Sequence, residues 1–165
     1  MSAWTDSPNI VQRGVRRLIA TGPMTWLLSH TIHHIDGAVM RVTDGRATAG
    51  GLLTGLPLIQ LATTGAKSGQ PRSVTLVGLP DGNRLLLIAS NWGQVKHPAW
   101  YHNIKAYPAV KVTHDGRTRD MTGHELAGEE RERAWARAVA LYPGYRNYSV
   151  RAKGRSIPVI ALEEA

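Results

Sequence analysis

The amino-acid sequence predicts an α+β fold that is mainly β. About six short antiparallel strands form a sheet that closes as a barrel or half-barrel, with helices at its margins. Three observations support this prediction. The hydrophobic period changes from helical to strand-like near residue 56, two turn motifs of the hairpin type (Pro80-Asp81-Gly82-Asn83 and Asp115-Gly116) separate strand-like runs, and helical patterns flank these runs.

The predicted strands are apolar or alternating runs bounded by turn residues. The second and third are expected to pair through the first turn motif, and the fourth and fifth through Asp115-Gly116. A short helix is predicted over 98–106, and a longer one begins at Glu129, where acidic residues suit the first turn. The six strands are predicted at 57–63, 72–79, 84–90, 110–114, 117–126 and 157–162.

The segment 1–44 is predicted to be a basic helical lead-in to this sheet. Its first helix carries an apolar stripe that includes Val11 and Leu18, while Arg13 and Arg16 project to the other side. Such a helix either packs on the core or lies on an anionic membrane surface, and the pattern leaves both open. A second helix carries three histidines on one face, but a metal site needs three or four convergent ligands and none is predicted (His30, His33, His34).

Length and composition predict one domain over 1–165, with 56–165 as its folded core. No apolar run reaches the roughly 18 residues that would span a bilayer, and a secretory signal is not expected. The chain has no cysteine, which fits a cytoplasmic protein. Its net charge of +8 predicts attraction to a nucleic acid, to an anionic membrane, or to a phosphorylated, carboxylate-rich cofactor.

Three motifs carry candidate chemistry. In the motif 63–72 (TTGAKSGQPR), two glycines permit a tight turn and Lys67 and Arg72 add cationic donors; this is either an anion site or an ordinary solvated hairpin loop. The run 89–93 ends an apolar strand in small and polar residues, which leaves backbone groups available to a planar heterocycle. Tyrosines recur at intervals of three at Tyr142, Tyr145 and Tyr148, and a tyrosine hydroxyl can hydrogen bond a developing oxyanion.

In this order, the motifs resemble those of the deazaflavin-dependent nitroreductases, also described as F420-dependent quinone reductases and known mainly from actinobacteria. The similarity runs from Pro57 to the C-terminus and rests on TTGAKSGQPR, DGNRLLLIASN, HPAWYHNIKAYP, LYPGYRNY and RSIPVIALE. The resemblance implies an FMN-binding-like split β-barrel and reduced coenzyme F420 as the hydride donor. Ala66 stands where many relatives have a second basic residue, and Trp92 is bulkier than is usual there.

The resemblance also implies roles for individual residues. Lys67 and Arg72 would bind the cofactor's phosphate and acidic tail, together with Ser68 and Gly69. Ser90 would lie beside the deazaflavin ring and help to position the acceptor, and Tyr145 would hydrogen bond the acceptor. The full prediction for the ring site is Ala89, Ser90 and Asn91, and for the acceptor pocket Trp92, Tyr142, Tyr145 and Tyr148.

The activity that the resemblance implies is reduction of a hydrophobic acceptor: a quinone first, and nitro compounds or enones as alternatives. A basic N-terminal helix would then hold a cytoplasmic enzyme at the inner face of the membrane. Two rival hypotheses are a split barrel that binds FMN or haem, and a non-enzymatic barrel that binds nucleic acid. The scattered basic residues and the absence of an RNP aromatic pattern disfavour nucleic acid as a partner. The sequence leaves the oligomeric state open.

Overall fold

The computed structural model describes residues 57–165, so the helices predicted within 1–44 lie outside the described residues. The described chain forms one seven-stranded antiparallel sheet with three α-helices. The helices are α1 (Ala99–Ala106), α2 (Gly128–Leu141) and α3 (Gly144–Arg151). The strands are β1 (Leu58–Thr64), β2 (Pro71–Val77), β3 (Leu79–Asp81), β4 (Arg84–Ile88), β5 (Ala109–His114), β6 (Arg117–Glu125) and β7 (Val159–Glu164).

The order of the strands shows that the sheet is curled. Across the sheet the strands run β2-β1-β5-β6-β7-β4-β3, so β2 and β3 lie at opposite edges. Only Gly78 separates β2 from β3 along the chain, so the two edges must meet there. A Cβ on Gly78 would lie 3.0 Å from the Ile59 side chain, and only glycine avoids that close approach. The sheet is therefore a half-barrel, as the sequence predicts.

One predicted strand pairing is wrong. The run 72–79 was expected to pair with 84–90, but β2 pairs along its whole length with β1, from Leu58↔Val77 to Thr64↔Pro71. Only the short β3 pairs with β4, around the Gly82-Asn83 turn. The bend at Gly78 divides the run in two, which makes seven strands instead of about six. The second predicted hairpin is confirmed: Asp115 and Gly116 both have positive φ, as a two-residue turn of this type requires.

The core lies on both sides of the curled sheet, which explains why β4 and β7 are apolar without alternation. Leu85 and Leu87 of β4 face a cluster enclosed by the sheet and α1, whereas Leu86 and Ile88 face a second cluster beneath α2 and α3. Burial of each such side chain contributes roughly 1.5–3 kcal/mol. This packing fixes the ends of β4 and β7, and it therefore fixes the position from which the residues after β4 continue.

Helices α1 and α2 begin within one residue of the predicted positions, and α1 ends at Ala106 as predicted. Glu129 and Glu130 occupy the first turn of α2, where carboxylates favour the positive end of the helix dipole. The chain breaks at Tyr142 and Pro143 before α3 begins at Gly144. Within 57–165, none of the helices has the length and apolar character needed to cross a bilayer.

Candidate cofactor and acceptor site

The loop between β1 and β2 is a tight turn, here called the tail loop (residues 65–70). Two backbone hydrogen bonds close it, from Gly65 N to Gln70 O at 2.9 Å and from Gly69 N to Gly65 O at 2.8 Å. Gly69 has a φ of +64°, which glycine adopts without steric cost. A Cβ on Gly65 would lie 2.6 Å from Ser68 Oγ. Gly69 is therefore needed for the backbone conformation, and a side chain at Gly65 would displace the Ser68 hydroxyl.

The tail loop presents cationic and amide donors to solvent. Ser68, Gly69 and the Lys67 and Arg72 side chains are exposed, and within 57–165 neither of these two cations forms an ion pair. The backbone amides of Lys67 and Ser68 also form no hydrogen bond to a described residue. Two cations and two free amides around one turn are a donor set suited to a phosphate or a carboxylate.

A buried asparagine on α1 holds the tail loop in place. Asn103 Oδ1 accepts a hydrogen bond from the Ala66 amide at 2.9 Å, and its Nδ2 donates to Thr63 Oγ1 at 2.9 Å. Asn103 and Thr63 are 7% and 5% exposed. The loop is thus fastened to a helix on one side and to β1 on the other.

No role is predicted for Asn103 from the sequence. Its position between Trp100 and Ile104, both of which pack into the cluster beneath α1, is a signal that could have identified it as an inward-facing polar residue.

The second site follows β4 and is here called the strand-end loop (residues 89–97). Ala89 is fully buried and Ser90 is 8% exposed, and the Ser90 hydroxyl forms no hydrogen bond within the described chain. Asn91 uses its side chain inside the loop, since Nδ2 donates to Lys96 O at 2.9 Å. Trp92 packs edge-on against Tyr148, with ring centroids 6.2 Å apart. This contact joins the strand-end loop to the predicted acceptor residues.

A half-buried arginine, Arg155, fastens the strand-end loop from the opposite side. It lies in the connection between α3 and β7, and its guanidinium donates to the Ala89 and Ser90 carbonyls at 3.2 and 2.9 Å. This arginine begins the motif RSIPVIALE, and no role is predicted for it from the sequence. No sequence signal predicts that an arginine will bond to backbone carbonyls some 65 residues away, as it does here.

The third group is the tyrosine cluster (Tyr142, Tyr145 and Tyr148), which the break between α2 and α3 brings together. Their ring centroids are 5.2 to 6.1 Å apart, and all three side chains are at most 5% exposed. The Tyr142 and Tyr148 hydroxyls are hydrogen bonded to each other at 3.1 Å. The Tyr145 hydroxyl forms no hydrogen bond to a described residue. Of the three, Tyr145 is thus the one whose hydroxyl has no hydrogen-bond partner within 57–165.

Burial keeps the tyrosine cluster protonated. Desolvation raises the pKa of Tyr145 and of Tyr148 well above the ordinary value, because a phenolate loses its hydration in the core. Desolvation also raises the pKa of Tyr142, and the hydrogen bond from Tyr148 and the nearby Arg151 charge oppose it. The three hydroxyls are therefore neutral hydrogen-bond donors near pH 7 and poor proton donors.

Helix α1 connects the two predicted cofactor loops. The strand-end loop runs through Pro98 directly into α1, and the tail loop is bonded to Asn103 on the same helix. From Ala99 to Asn103 the helix rises only about 6 Å. The predicted tail site, ring site and acceptor residues thus lie on connected elements, although the roles predicted for individual residues stay predictions. Among the described residues no group of histidine, cysteine and carboxylate side chains could hold a metal ion.

A curled antiparallel sheet with a cationic turn, a polar strand end and a cluster of buried tyrosines defines a small protein of the split-barrel class. Comparison with known proteins identifies its family. The family model described as F420H(2)-dependent quinone reductase matches residues 34–164. The F420H(2)-dependent quinone reductases of two Mycobacterium tuberculosis strains are each 33% identical to this chain over 144 residues, 83% of this chain and 95% of theirs. The chain belongs to the F420H(2)-dependent quinone reductase family.

Solved structures agree with this assignment. One, an F420-H2 dependent reductase, is 42% identical with a TM-score of 0.59, and the match covers 65% of this chain and 94% of the reductase chain. Another, described as a domain-swapped dimer, is 36% identical, has a TM-score of 0.62, and covers 86% of this chain and all of its own (100%). The predicted family and split-barrel fold are confirmed, and with them the class of the protein as an oxidoreductase.

Proposed function

We propose that this protein transfers a hydride from reduced coenzyme F420 to a quinone. The tail loop is the observation that carries the proposal. Within 57–165, Lys67 and Arg72 form no ion pair and the amides of Lys67 and Ser68 form no hydrogen bond. Asn103 fixes the backbone at Ala66, immediately before these donors. An anion that binds at this turn gains charge-assisted hydrogen bonds from groups already in position. This donor set fits the acidic, phosphorylated tail of F420.

The strand-end loop would hold the ring. Ala89, Ser90 and Asn91 would lie along one edge of the planar ring system, with the free Ser90 hydroxyl available as a hydrogen-bond donor. When bound, the reduced cofactor supplies the hydride and the proton that together convert a quinone into a hydroquinone. The task of the protein is then to orient donor and acceptor and to exclude water.

The tyrosine cluster and Trp92 would line the acceptor site. Negative charge develops on the quinone oxygen as the hydride arrives, and a fixed donor aimed at that oxygen lowers the barrier. Tyr145 is suited to this role because its hydroxyl has no partner among the described residues, whereas the Tyr142 and Tyr148 hydroxyls are hydrogen bonded to each other. The raised pKa of Tyr145 means that it donates a hydrogen bond while keeping its proton.

Binding measurements test the cofactor half of the proposal. Purified protein is titrated with F420, FMN, haem and an oligonucleotide, and quenching of tryptophan or cofactor fluorescence is followed. The proposal predicts saturable binding of F420, weakened by Lys67→Ala. Lys111→Ala is the matched control, because Lys111 is an exposed lysine whose charge is already paired with Asp120 across β5 and β6. Tight binding of FMN or haem without any response to F420 would contradict the proposal, and binding of the oligonucleotide alone would favour the nucleic-acid hypothesis.

We also propose that the enzyme is cytoplasmic and touches the inner face of the membrane through its basic N-terminal segment. The support is the sequence pattern of that segment and the solubility of quinones in lipid. Flotation with vesicles that contain anionic lipid tests it, with and without residues 1–20. Loss of flotation on truncation is expected, and equal flotation of the two forms would contradict the membrane contact.

A further inference from the structure

The strand-end loop has a backbone conformation that needs external support. Asn91, Trp92 and Gly93 have successive φ values of +47°, +58° and +78°. Glycine accepts this region freely and asparagine tolerates it, but a bulky residue such as Trp92 is strained there. Three left-handed residues in a row hold their shape only where surrounding contacts over-determine it. The loop also carries the predicted ring-binding residues.

Arg155 supplies those contacts. Its Nε and Nη2 both donate to Gln94 O, at 3.1 and 3.0 Å, and Nη2 also donates to Ser90 O at 2.9 Å. Its Nη1 donates to Ala89 O at 3.2 Å and to His97 Nδ1 at 3.0 Å. The three guanidinium nitrogens therefore reach four residues distributed from the first to the last position of the loop.

The Arg155 donors are directed at backbone carbonyls and one imidazole nitrogen, and not at a carboxylate of the described chain. Within 57–165, Arg155 forms no ion pair with a carboxylate, although it is half-buried. Burial lowers its pKa, but a guanidinium keeps its charge at any physiological pH. A buried charge without a counter-ion is costly unless its hydrogen bonds are made. The loop carbonyls satisfy it, so the charge and the loop conformation stabilise each other.

The fourth partner, His97, has to be neutral to accept this hydrogen bond. Burial, together with the charges of Arg155 and His102, lowers the pKa of His97, and only Glu125 opposes them. The ring also stacks against Tyr101, with centroids 4.8 Å apart, at the start of α1. The last residue of the loop is therefore anchored both to Arg155 and to the helix that holds the tail loop.

We propose that Arg155 is a positioning residue for F420-dependent reduction: it touches neither cofactor nor acceptor, and it holds the strand-end loop in the shape that receives the deazaflavin ring. This inference rests on the proposed function. It follows from the fit between the planar guanidinium, which has several donors, and the carbonyls that lie before and after the three left-handed residues of the loop. Lysine would keep the charge but donate from a single atom, so it could not span Ala89, Ser90 and Gln94 together.

The test compares Arg155→Lys, Arg155→Ala and the control Arg84→Gln. Arg84 is a suitable control because it is also half-buried and multiply bonded, to Asp81 and Glu130, at the opposite end of β4. For each protein, the Kd for F420, the kcat with a short-chain quinone and the thermal midpoint are measured. Arg155→Lys is expected to weaken F420 binding by about tenfold or more, as loss of one to two charged hydrogen bonds implies. Arg84→Gln should lower the thermal midpoint and leave the Kd unchanged.

Chemical rescue separates positioning from general stability. In Arg155→Ala, guanidinium chloride at low millimolar concentration should restore part of the F420 affinity, whereas sodium chloride at the same ionic strength should not. Wild-type affinity and kcat in Arg155→Lys would overturn the inference, as would an equal loss of affinity in Arg84→Gln. If instead the wild-type protein fails to bind F420, the proposed function itself fails and takes this inference with it.

Discussion

The bond between Asn103 and the tail loop gives the sharpest test of how the cofactor site is built. Replacing Asn103 with alanine removes both of its side-chain hydrogen bonds and leaves the Ala66 amide without a partner among the described residues. The Thr63 hydroxyl keeps a long hydrogen bond to Arg72 O at 3.4 Å. The cationic residues proposed to bind the cofactor tail are untouched. The substitution therefore perturbs the shape of the loop and leaves its charge unchanged.

The expected cost follows from burial. Each buried polar group left unsatisfied costs roughly 1–3 kcal/mol, and the half-buried Ala66 amide lies at the low end of that range. Together with a small cavity, the loss in free energy of unfolding should be about 2–4 kcal/mol. For a protein of this size that lowers the thermal midpoint by about 5–15 °C. The Kd for F420 should rise about fivefold, because part of the binding energy now orders the loop.

Denaturant unfolding and F420 titration of the same samples measure both effects. Thr118→Ala is the control, since it removes an exposed hydroxyl bond to Thr113 of 2.8 Å and should cost less than about 1 kcal/mol. A double-mutant cycle of Asn103→Ala with Thr63→Val should show a coupling of about 1 kcal/mol. A loss of stability below about 1 kcal/mol in Asn103→Ala, or strict additivity in the cycle, would refute the reasoning.

Three further predictions concern the charge and the tyrosines. Lys67→Ala should raise the Kd for F420 about tenfold and change no other property, because Lys67 is exposed and unpaired within the described chain. A Kd equal to that of Lys111→Ala would contradict this prediction. Tyr145→Phe should lower kcat about tenfold or more with nearly unchanged stability, since the lost hydroxyl has no partner among the described residues. Tyr148→Phe should instead cost about 1 kcal/mol of stability. Unchanged turnover in Tyr145→Phe with every quinone would remove its role. Above pH 10 the unfolded chain releases phenolic protons that the folded tyrosine cluster retains. The free energy of unfolding should therefore be at its full value below pH 10 and fall as the pH rises. A thermal midpoint that stays constant up to pH 11 would contradict the raised pKa values.

Much of the fold could be predicted because local patterns determine it. The alternation along β5 and the Asp115-Gly116 turn specify a hairpin without reference to the rest of the chain. The pairing of β2 with β1 could not be predicted in the same way. The apolar run 72–79 looks continuous in sequence, and its division at Gly78 follows from closure of the sheet against Ile59, which is a tertiary constraint.

The residues of the candidate site also divide into those that local patterns mark and those that depend on tertiary contacts. Residue types and spacing mark Lys67, Arg72 and the tyrosines as candidates, and the family resemblance adds the role proposed for Ser90. The structure places these residues on connected elements. Asn103 and Arg155 act through backbone groups far away in sequence, and no local pattern marks such partners. Trp92, which the sequence marked as a departure from the family, now has a defined place: it is strained at φ +58° and packs on Tyr148.

The most direct test of the central claim is the rate at which a quinone reoxidises protein-bound reduced F420, followed by stopped-flow absorbance without oxygen. The account predicts a rate well above that of free reduced F420, saturating with quinone concentration and lowered by Tyr145→Phe. A rate equal to that of the free cofactor, measured on protein shown to bind it, would contradict the account.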